Sequence, residues 1–225
     1  MPNRIADVLL SADFARAPVF TTRDVAEAAG ASMPAAARAL AALVARRLLT
    51  PVVRGIWARP EHPSFSPYAV VPFLLGATVV ADGRRPGGRG YVSLLSAMNL
   101  HGLIDQIPRA VQVVVPGQRP ALATPVGTFT FHQLAPALLT GHEPGGRLAN
   151  FEVATPTKAV FDTLYISTRR GRRHAHLPEV ELTARVDEAE MDRYLGLIGP
   201  RFLRTAVAGR WEALRRTAAS APLAR

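Results

Sequence analysis

Residues 21–58 read TTRDVAEAAGASMPAAARALAALVARRLLTPVVRGIWA, and their pattern decides the fold of the N-terminal part of the chain. Thr21 and Asp24 resemble a capping box and Gly30 is typical of a helix end, so a short helix is predicted between them. A longer helix is predicted directly after Ser32, which is a good N-cap residue. Two short helices joined by a tight turn that contains glycine are typical of the helix-turn-helix motif.

The flanking segments extend this motif on both sides. Upstream, apolar side chains recur at helical spacing and predict another short helix, and these are Ile5, Val8, Leu9 and Ala12. Downstream, the Arg54-Gly55 turn separates two segments that are typical of strands, Leu48–Val53 and Ile56–Ala58. Three helices and a hairpin predict a winged helix-turn-helix domain over residues 1–60.

A winged helix of this kind predicts DNA binding, with the helix after Ser32 lying in the major groove. Arg38 is the long side chain expected to reach a base edge there, and guanine is its favoured partner. Arg23 and Arg54 are expected to contact phosphates. The alternative is a winged helix that mediates protein contact or dimerisation, with solvated arginines. The predicted DNA-binding residues are Arg23, Ser32, Ala35, Ala37, Arg38 and Arg54.

The composition favours an anionic partner and excludes several classes of protein. The chain of 225 residues has a formal net charge of +10, with +4 in residues 1–60, +3 in residues 61–170 and +3 in residues 171–225. It contains no Cys, so disulfides, thiolate catalysis and zinc–thiolate sites are excluded, and a cytoplasmic location is expected. The longest apolar run, Tyr68–Val80, is too short to span a bilayer. No membrane association is therefore predicted, and no signal peptide is predicted because Asp7 and Asp13 follow one early arginine at the N-terminus.

Residues 61–90 are predicted to be a linker followed by an apolar helix. The linker is Glu61–Pro67, and the segment Val70–Val80 is expected to be helical in its second half. A mobile surface loop is expected from Asp82 to Gly90. This loop contains glycines but lacks the Gly-Lys-Ser/Thr sequence of a phosphate-binding loop.

Residues 91–225 are predicted to form a mixed α/β domain with a helical C-terminus. The expected helices lie at about Ser93 to His101, from Pro156 onward, at 188–197 and at 202–216. The expected strands are Ala110–Val115, Val126–Phe131 and Phe151–Ala154. The predicted fold class of the chain is therefore α+β or α/β, with an N-terminal winged helix-turn-helix followed by a C-terminal mixed α/β domain.

Two motifs in this part resemble the AbiEi family of antitoxins and transcriptional regulators. The first is Ser-Ala-x-x-x-His-Gly-Leu at residues 96–103, and the second is Ala-Thr-Pro-x-Lys-Ala-x-x-Asp at residues 154–162. The resemblance covers residues 4–216. It implies an antitoxin of a type IV, AbiE-type toxin–antitoxin system, a class of phage-defence system. The resemblance also implies that the winged helix represses the promoter that antitoxin and toxin share, by binding an inverted repeat as two copies or as one homodimer. It implies further that the C-terminal domain neutralises a nucleotidyltransferase toxin.

Basic residues in this domain are candidates for contact with a toxin or a phosphate. Lys158 is the only lysine in the chain. Its spacing to Asp162 predicts either an ion pair on a helix surface or a partner contact. The sharpest charge cluster is either a solvated loop or an electrostatic docking surface, and it comprises Arg169, Arg170, Arg172 and Arg173.

No motif indicates catalysis, a metal site or a cofactor. His101 is expected to cap its helix or to bond a buried carbonyl. The sequence therefore predicts a non-enzymatic antitoxin that represses its own operon. The alternatives are a ligand-responsive winged-helix repressor without a toxin partner, and a degenerate nuclease or other nucleotide-processing enzyme.

Overall fold

The computed structural model describes residues 4–80, 83–85, 88–145, 151–170, 180, 182 and 185–220, and the fold is mixed α+β. The chain divides into two compact units. The first contains Met1–Arg89, Leu122–Phe129 and Pro144–Phe151. The second contains Gly90–Ala121, Thr130–Glu143 and Glu152–Arg225. The sequence predicted contiguous divisions, whereas the first unit also takes two segments from later in the chain.

The first unit begins with short helices that surround a small sheet. The helices are α1 (Arg4–Leu10), α2 (Ala12–Ala15), α3 (Thr22–Ala29) and α4 (Met33–Ala45). The strands are β1 (Val19–Thr21), β2 (Thr50–Val53) and β3 (Ile56–Ala58). They pair antiparallel in the order β1-β3-β2, so that Ala58 lies between Val19 and Thr50. The sequence did not predict β1, since three residues carry too little periodicity.

One apolar cluster holds these elements together. Every helix from α1 to α4 contributes to it, and its fully buried members include Phe20, Val25, Ala36 and Leu40. Trp57 of β3 packs against it from the sheet. Burial of this face, rather than helix propensity, stabilises such short helices.

The rest of the first unit differs from the prediction made for Val70–Val80. A 3₁₀ turn (Pro67–Val70) and α5 (Val71–Leu74) come first, and β4 (Thr78–Val80) then pairs with β5 (Gly83–Arg85). The prediction of a helix in the second half of Val70–Val80 is therefore wrong. Gly76 has a φ of 94°, which breaks the helix, and the β-branched residues after it favour a strand. Part of the predicted loop at 82–90 is likewise strand β5.

The remaining strands form a six-stranded sheet with the order β10-β11-β6-β7-β9-β8. Their bounds are β6 (Tyr91–Val92), β7 (Val111–Val115), β8 (Leu122–Thr124), β9 (Gly127–Gln133), β10 (His142–Gly145) and β11 (Phe151–Ala154). β11 runs parallel to β6, and β6 runs antiparallel to β7. The predicted strands are present within two residues of their expected bounds, and the shorter strands β6, β8 and β10 were not predicted.

A buried helix lies at the centre of the second unit. Its helices are α6 (Leu94–Leu100), α7 (Pro156–Arg170), α8 (Glu188–Gly196) and α9 (Arg201–Ser220), with a 3₁₀ turn at Pro136–Leu138. α7 packs against α6, α8 and α9, and every residue from Thr157 to Ser167 is buried. A helix that is buried on all sides places even its polar residues in the core.

Within the described ranges, no single helix combines the length and the apolar composition needed to cross a bilayer. The pair α3 and α4 passes that test only jointly, across a bend of 116°.

Candidate functional site

The N-terminus of α3 is fixed by a reciprocal pair of hydrogen bonds. The Thr21 hydroxyl accepts from the Asp24 backbone N–H at 3.1 Å, and the Asp24 carboxylate accepts from the Thr21 N–H at 2.7 Å. This is the capping box that the sequence predicted. At the other end of α3, Gly30 adopts a φ of 58° and donates to the carbonyls of Ala26 and Glu27. Residues 30–32 therefore form a tight turn into α4.

α4 presents one apolar and one exposed face. Ala36 and Leu40 are fully buried, and Leu43 packs against the same cluster. Ser32 is the N-cap, since its hydroxyl accepts from the Ala35 N–H at 3.4 Å. Arg38 is exposed on the opposite face. The helix that was predicted to enter a groove thus has its one central arginine on the solvent side.

The β2–β3 hairpin is tied to the start of α3. Its turn is Arg54-Gly55, with a φ of 83° at Gly55. The Gly55 carbonyl accepts from the Thr22 N–H at 2.9 Å, and the Trp57 indole N–H donates to the Thr22 hydroxyl at 2.8 Å. Arg54 directly precedes Gly55 in sequence, Arg23 directly follows Thr22, and both arginines are exposed. The structure therefore brings the two predicted phosphate-contacting residues to one place.

The charge of this region is strongly asymmetric at the surface. Among the residues of 4–58 whose side-chain exposure the structure describes, seven arginines are exposed, against the two acidic residues Asp7 and Glu27. Asp24 is buried in the capping box. The exposed arginines are Arg4, Arg16, Arg23, Arg38, Arg46, Arg47 and Arg54. Of the other predicted DNA-binding residues, Ser32 is exposed, and Ala35 and Ala37 are half-buried.

Arg59 has a structural role that the sequence did not reveal. Its guanidinium donates to the Leu9 carbonyl at 2.9 Å and to the Phe14 carbonyl, and it lies 5.2 Å from the centroid of the Phe20 ring. Partial burial lowers its pKa. It therefore holds the ends of α1 and α2. Because its bonded partners lie 45 and 50 residues away in sequence, no local pattern could identify this role.

In the second unit, the prediction for Lys158 is wrong in its location. The ion pair with Asp162 forms, as the spacing predicts, but both side chains are completely buried rather than at a helix surface. Lys158 therefore cannot contact a partner protein or a phosphate in this structure. Its ammonium lies between the rings of Tyr91, Phe161 and Tyr194, at 4.9–5.7 Å from their centroids.

Hydrogen bonds from other elements compensate the buried Asp162. The Ser93 hydroxyl donates to this carboxylate at 2.7 Å, and the Tyr91 hydroxyl donates at 3.1 Å. Loss of hydration raises the pKa of Asp162 and lowers the pKa of Lys158, and their mutual attraction opposes both shifts. Burial near Asp162 raises the pKa of Tyr91, which keeps that hydroxyl protonated as a donor.

The two motifs that carry the family resemblance meet in this core. The His101 ring donates to the Ala154 carbonyl at 2.7 Å, which confirms one of the two roles expected for His101. Ser96 accepts from the Gln112 N–H at 2.9 Å, and Thr163 of α7 bonds to Met98 of α6. These residues hold α6, β7, β11 and α7 together.

The structure describes only part of the predicted basic cluster. Arg169 is exposed in the last turn of α7, 5.6 Å from the centroid of the Tyr165 ring. Arg170 is the last residue of that helix. Arg172 and Arg173 lie outside the described residues. Across the described part of the chain, no three His, Asp or Glu side chains converge on a point that could hold a metal ion.

Comparison with known proteins shows the fold alone. No family model matches the sequence, and no curated protein is similar to it. The structure resembles the crystal structure of the RV2827C protein from Mycobacterium tuberculosis, with a TM-score of 0.54 and 16% sequence identity. The similarity covers 100% of this chain and 84% of the other. The two proteins therefore share their mixed α+β architecture.

Proposed function

We propose that the first unit contains a winged helix-turn-helix that binds DNA. The observation that carries this proposal is the arrangement of α3, α4 and the β2–β3 hairpin. The two helices are joined by three residues across a bend of 116°, which agrees with helix-turn-helix geometry, and the hairpin follows directly. The surrounding arginine-rich surface supports DNA as the partner.

In the proposed complex, α4 lies in the major groove and Arg38 donates two hydrogen bonds to O6 and N7 of a guanine. Arg23 and Arg54 contact phosphates beside the groove, because both are exposed and lie next to the Thr22–Gly55 hydrogen bond. Two copies occupy an inverted repeat. Phosphate contacts supply most of the affinity, and Arg38 supplies sequence preference.

The second part of the proposal is that the chain is a non-enzymatic antitoxin of the AbiE type that represses its own operon in the cytoplasm. Its support is the resemblance at residues 96–103 and 154–162, together with the packing of these two segments against each other. The second unit opposes a nucleotidyltransferase toxin. Since Lys158 is buried, the proposed partner surface includes exposed Arg169 and excludes Lys158.

DNA binding can be tested with the segment upstream of the operon and with random DNA of equal length, measured by fluorescence anisotropy. Arg38→Ala is expected to cost about 1–3 kcal/mol on the operator and much less on random DNA. Arg54→Ala is expected to weaken both equally. Arg109→Ala removes an exposed charge from the second unit and should change neither.

If Arg38→Ala lowered the affinity for the operator and for random DNA by the same factor, the proposed role of Arg38 in reading a base would be refuted. If neither Arg38→Ala nor Arg54→Ala altered binding, the protein-contact alternative for the winged helix would replace the proposal.

The antitoxin role can be tested by co-expressing the chain with the product of the neighbouring gene and scoring growth. Rescue from a nucleotidyltransferase toxin is expected, and Arg38→Ala should retain it because Arg38 belongs to the DNA-binding unit. A neighbouring gene of another class, or a toxin that is not neutralised, would refute this role without affecting the DNA-binding result.

A further inference from the structure

A concave site in the second unit lies where the last turns of α7 meet the start of α9. Its volume is about 710 Å³, which is in the range that small-molecule sites occupy. The segment after β9 contributes Ala135 to its wall. Among the described residues that line it, one side chain is charged, that of Arg169. This α7–α9 pocket is therefore a largely apolar cavity with a single cation.

The apolar part of the α7–α9 pocket includes an aromatic ring that the protein leaves in water. Phe202, in the first turn of α9, is 78% exposed. Pro200 and Leu203 line the pocket as well. A flat ring that stacks on Phe202 removes apolar surface of both rings from water, and the offset arrangement of the two rings adds to that gain. The wall therefore favours an aromatic ligand.

Arg169 supplies the positive charge of the pocket. Its side chain is exposed, and its guanidinium carbon lies 5.6 Å from the centroid of the Tyr165 ring. The ring covers a flat face of the guanidinium, whereas the N–H donors point outward in its plane and stay available to another partner. Within the described part of the chain, no carboxylate forms an ion pair with Arg169. A ligand carboxylate can therefore pair with this guanidinium through two parallel hydrogen bonds.

The hydroxyl of Tyr165 is a second donor on the same wall. Tyr165 is 6% exposed, yet among the described residues its hydroxyl forms no hydrogen bond. Other polar groups of the wall are engaged within the protein. The Thr168 hydroxyl donates to the Leu164 carbonyl at 2.7 Å, and the Gln133 amide donates to a backbone carbonyl at 3.4 Å. A nearly buried hydroxyl without a partner is unfavourable, and a ligand oxygen in the pocket would satisfy it.

We propose that the α7–α9 pocket binds a small aromatic carboxylate. The carboxylate pairs with Arg169 and accepts a hydrogen bond from the Tyr165 hydroxyl, and the ring of the ligand stacks on Phe202. A carboxylate fits better than a phosphate monoester, because a single guanidinium balances one negative charge and leaves the second charge of a phosphate desolvated without a partner.

This inference does not rest on the proposed DNA-binding or antitoxin function. Arg169 is also part of the proposed partner surface, so ligand binding is measured on the full chain alone, without toxin or DNA. Failure of the ligand test therefore leaves both proposed functions intact.

Calorimetric titration of the full chain with naphthoate tests the pocket. Three analogues each change one feature of the ligand: naphthamide lacks the charge, decahydronaphthoate lacks the flat ring, and naphthyl phosphate replaces the carboxylate by a phosphate. We expect naphthoate to bind about tenfold or more tightly than naphthamide, and more tightly than the other two analogues. These comparisons use the unaltered protein and do not depend on the folding of any variant.

Three variants assign the contacts. Arg169→Gln should weaken naphthoate binding about tenfold and abolish the preference for naphthoate over naphthamide. Phe202→Ala should remove most of the preference for naphthoate over decahydronaphthoate. Tyr165→Phe, which removes only the hydroxyl, should weaken naphthoate binding about five- to tenfold.

Arg109→Gln and Ile107→Ala are matched controls. They remove an exposed cation and an 80% exposed apolar side chain of the second unit, and neither residue lines the pocket. Both should leave the affinity for naphthoate unchanged. Circular dichroism of each variant checks that its fold is preserved.

The absence of saturable naphthoate binding would overturn the proposal, and so would an affinity that Arg169→Gln leaves unchanged. Tighter binding of naphthyl phosphate than of naphthoate would show that the pocket selects a phosphate instead. Tighter binding of decahydronaphthoate would show that Phe202 offers a general apolar contact rather than a stacking surface, and would refute the aromatic part of the proposal.

Discussion

Lys158 and Asp162 form a buried ion pair whose partners stabilise each other against a large desolvation cost. Both side chains are fully buried, and the carboxylate also accepts from Ser93 and Tyr91. The attraction repays desolvation only while both charges and these hydrogen bonds are present. Removal of one partner leaves an uncompensated charge in the core. The lone lysine of the chain is therefore a structural residue of the second unit.

Lys158→Met and Asp162→Ala should each destabilise the second unit by roughly 3–5 kcal/mol. The double variant should lose less than the sum of the two, because the second substitution removes the unpaired charge. Urea unfolding can be followed by the fluorescence of buried Trp211 in a Trp57→Phe background, since the chain has two tryptophans. Arg109→Met, which removes an exposed cation, should cost under about 0.5 kcal/mol. If the double variant lost as much free energy of unfolding as the two single variants together, the two charges would not be compensating each other.

At the scale of elements, local signals predicted the helices that carry their own caps. Ser32 begins α4 and the Thr21–Asp24 capping box begins α3, so both helices lie within a residue or two of their predicted bounds. The short strands β1, β6, β8 and β10 escaped prediction because pairing with distant segments, rather than local pattern, makes them strands. β4 was mistaken for helix because an apolar run of its length is ambiguous by periodicity.

Two residues with left-handed backbone, one after the C-terminus of α3 and one after the C-terminus of α4, should respond to substitution in opposite directions. Gly30 has a φ of 58°, and Arg47, which follows the C-cap residue Arg46 of α4, has a φ of 59°. Gly30→Ala should destabilise the first unit by about 1 kcal/mol, and Arg47→Gly should stabilise it by a similar amount. Trp57 fluorescence in urea measures both, because Trp57 packs against this core.

Arg47→Ala is the matched control for charge, since it removes the guanidinium but keeps a side chain at the strained position. It should leave the free energy of unfolding nearly unchanged. If Arg47→Ala stabilised the unit as much as Arg47→Gly does, charge repulsion rather than backbone strain would be the cause.

For the whole molecule, the net charge of +10 is the sum of groups with different roles. Periodicity sufficed to place Arg23 and Arg38 at the surface, because an amphipathic pattern separates inside from outside, and the turn signal at Arg54-Gly55 placed Arg54 there. It could not show that Arg59 bonds distant carbonyls or that Lys158 is buried, since both depend on contacts between remote segments. Total charge therefore overstates the number of cations that are available to a polyanion.

The salt dependence of the affinity for random DNA measures how many cationic side chains contact phosphates. Each phosphate contact contributes about 0.9 to the slope of log K against log salt concentration. Arg23→Ala and Arg54→Ala should each lower the magnitude of that slope by about this amount. Arg109→Ala should not change it, and neither should Arg38→Ala if Arg38 bonds a base rather than a phosphate. Anisotropy titrations at several salt concentrations measure the slopes on one DNA. A slope that Arg23→Ala and Arg54→Ala leave intact would show that the hairpin and the start of α3 face solvent in the complex, and would require another surface to bind DNA.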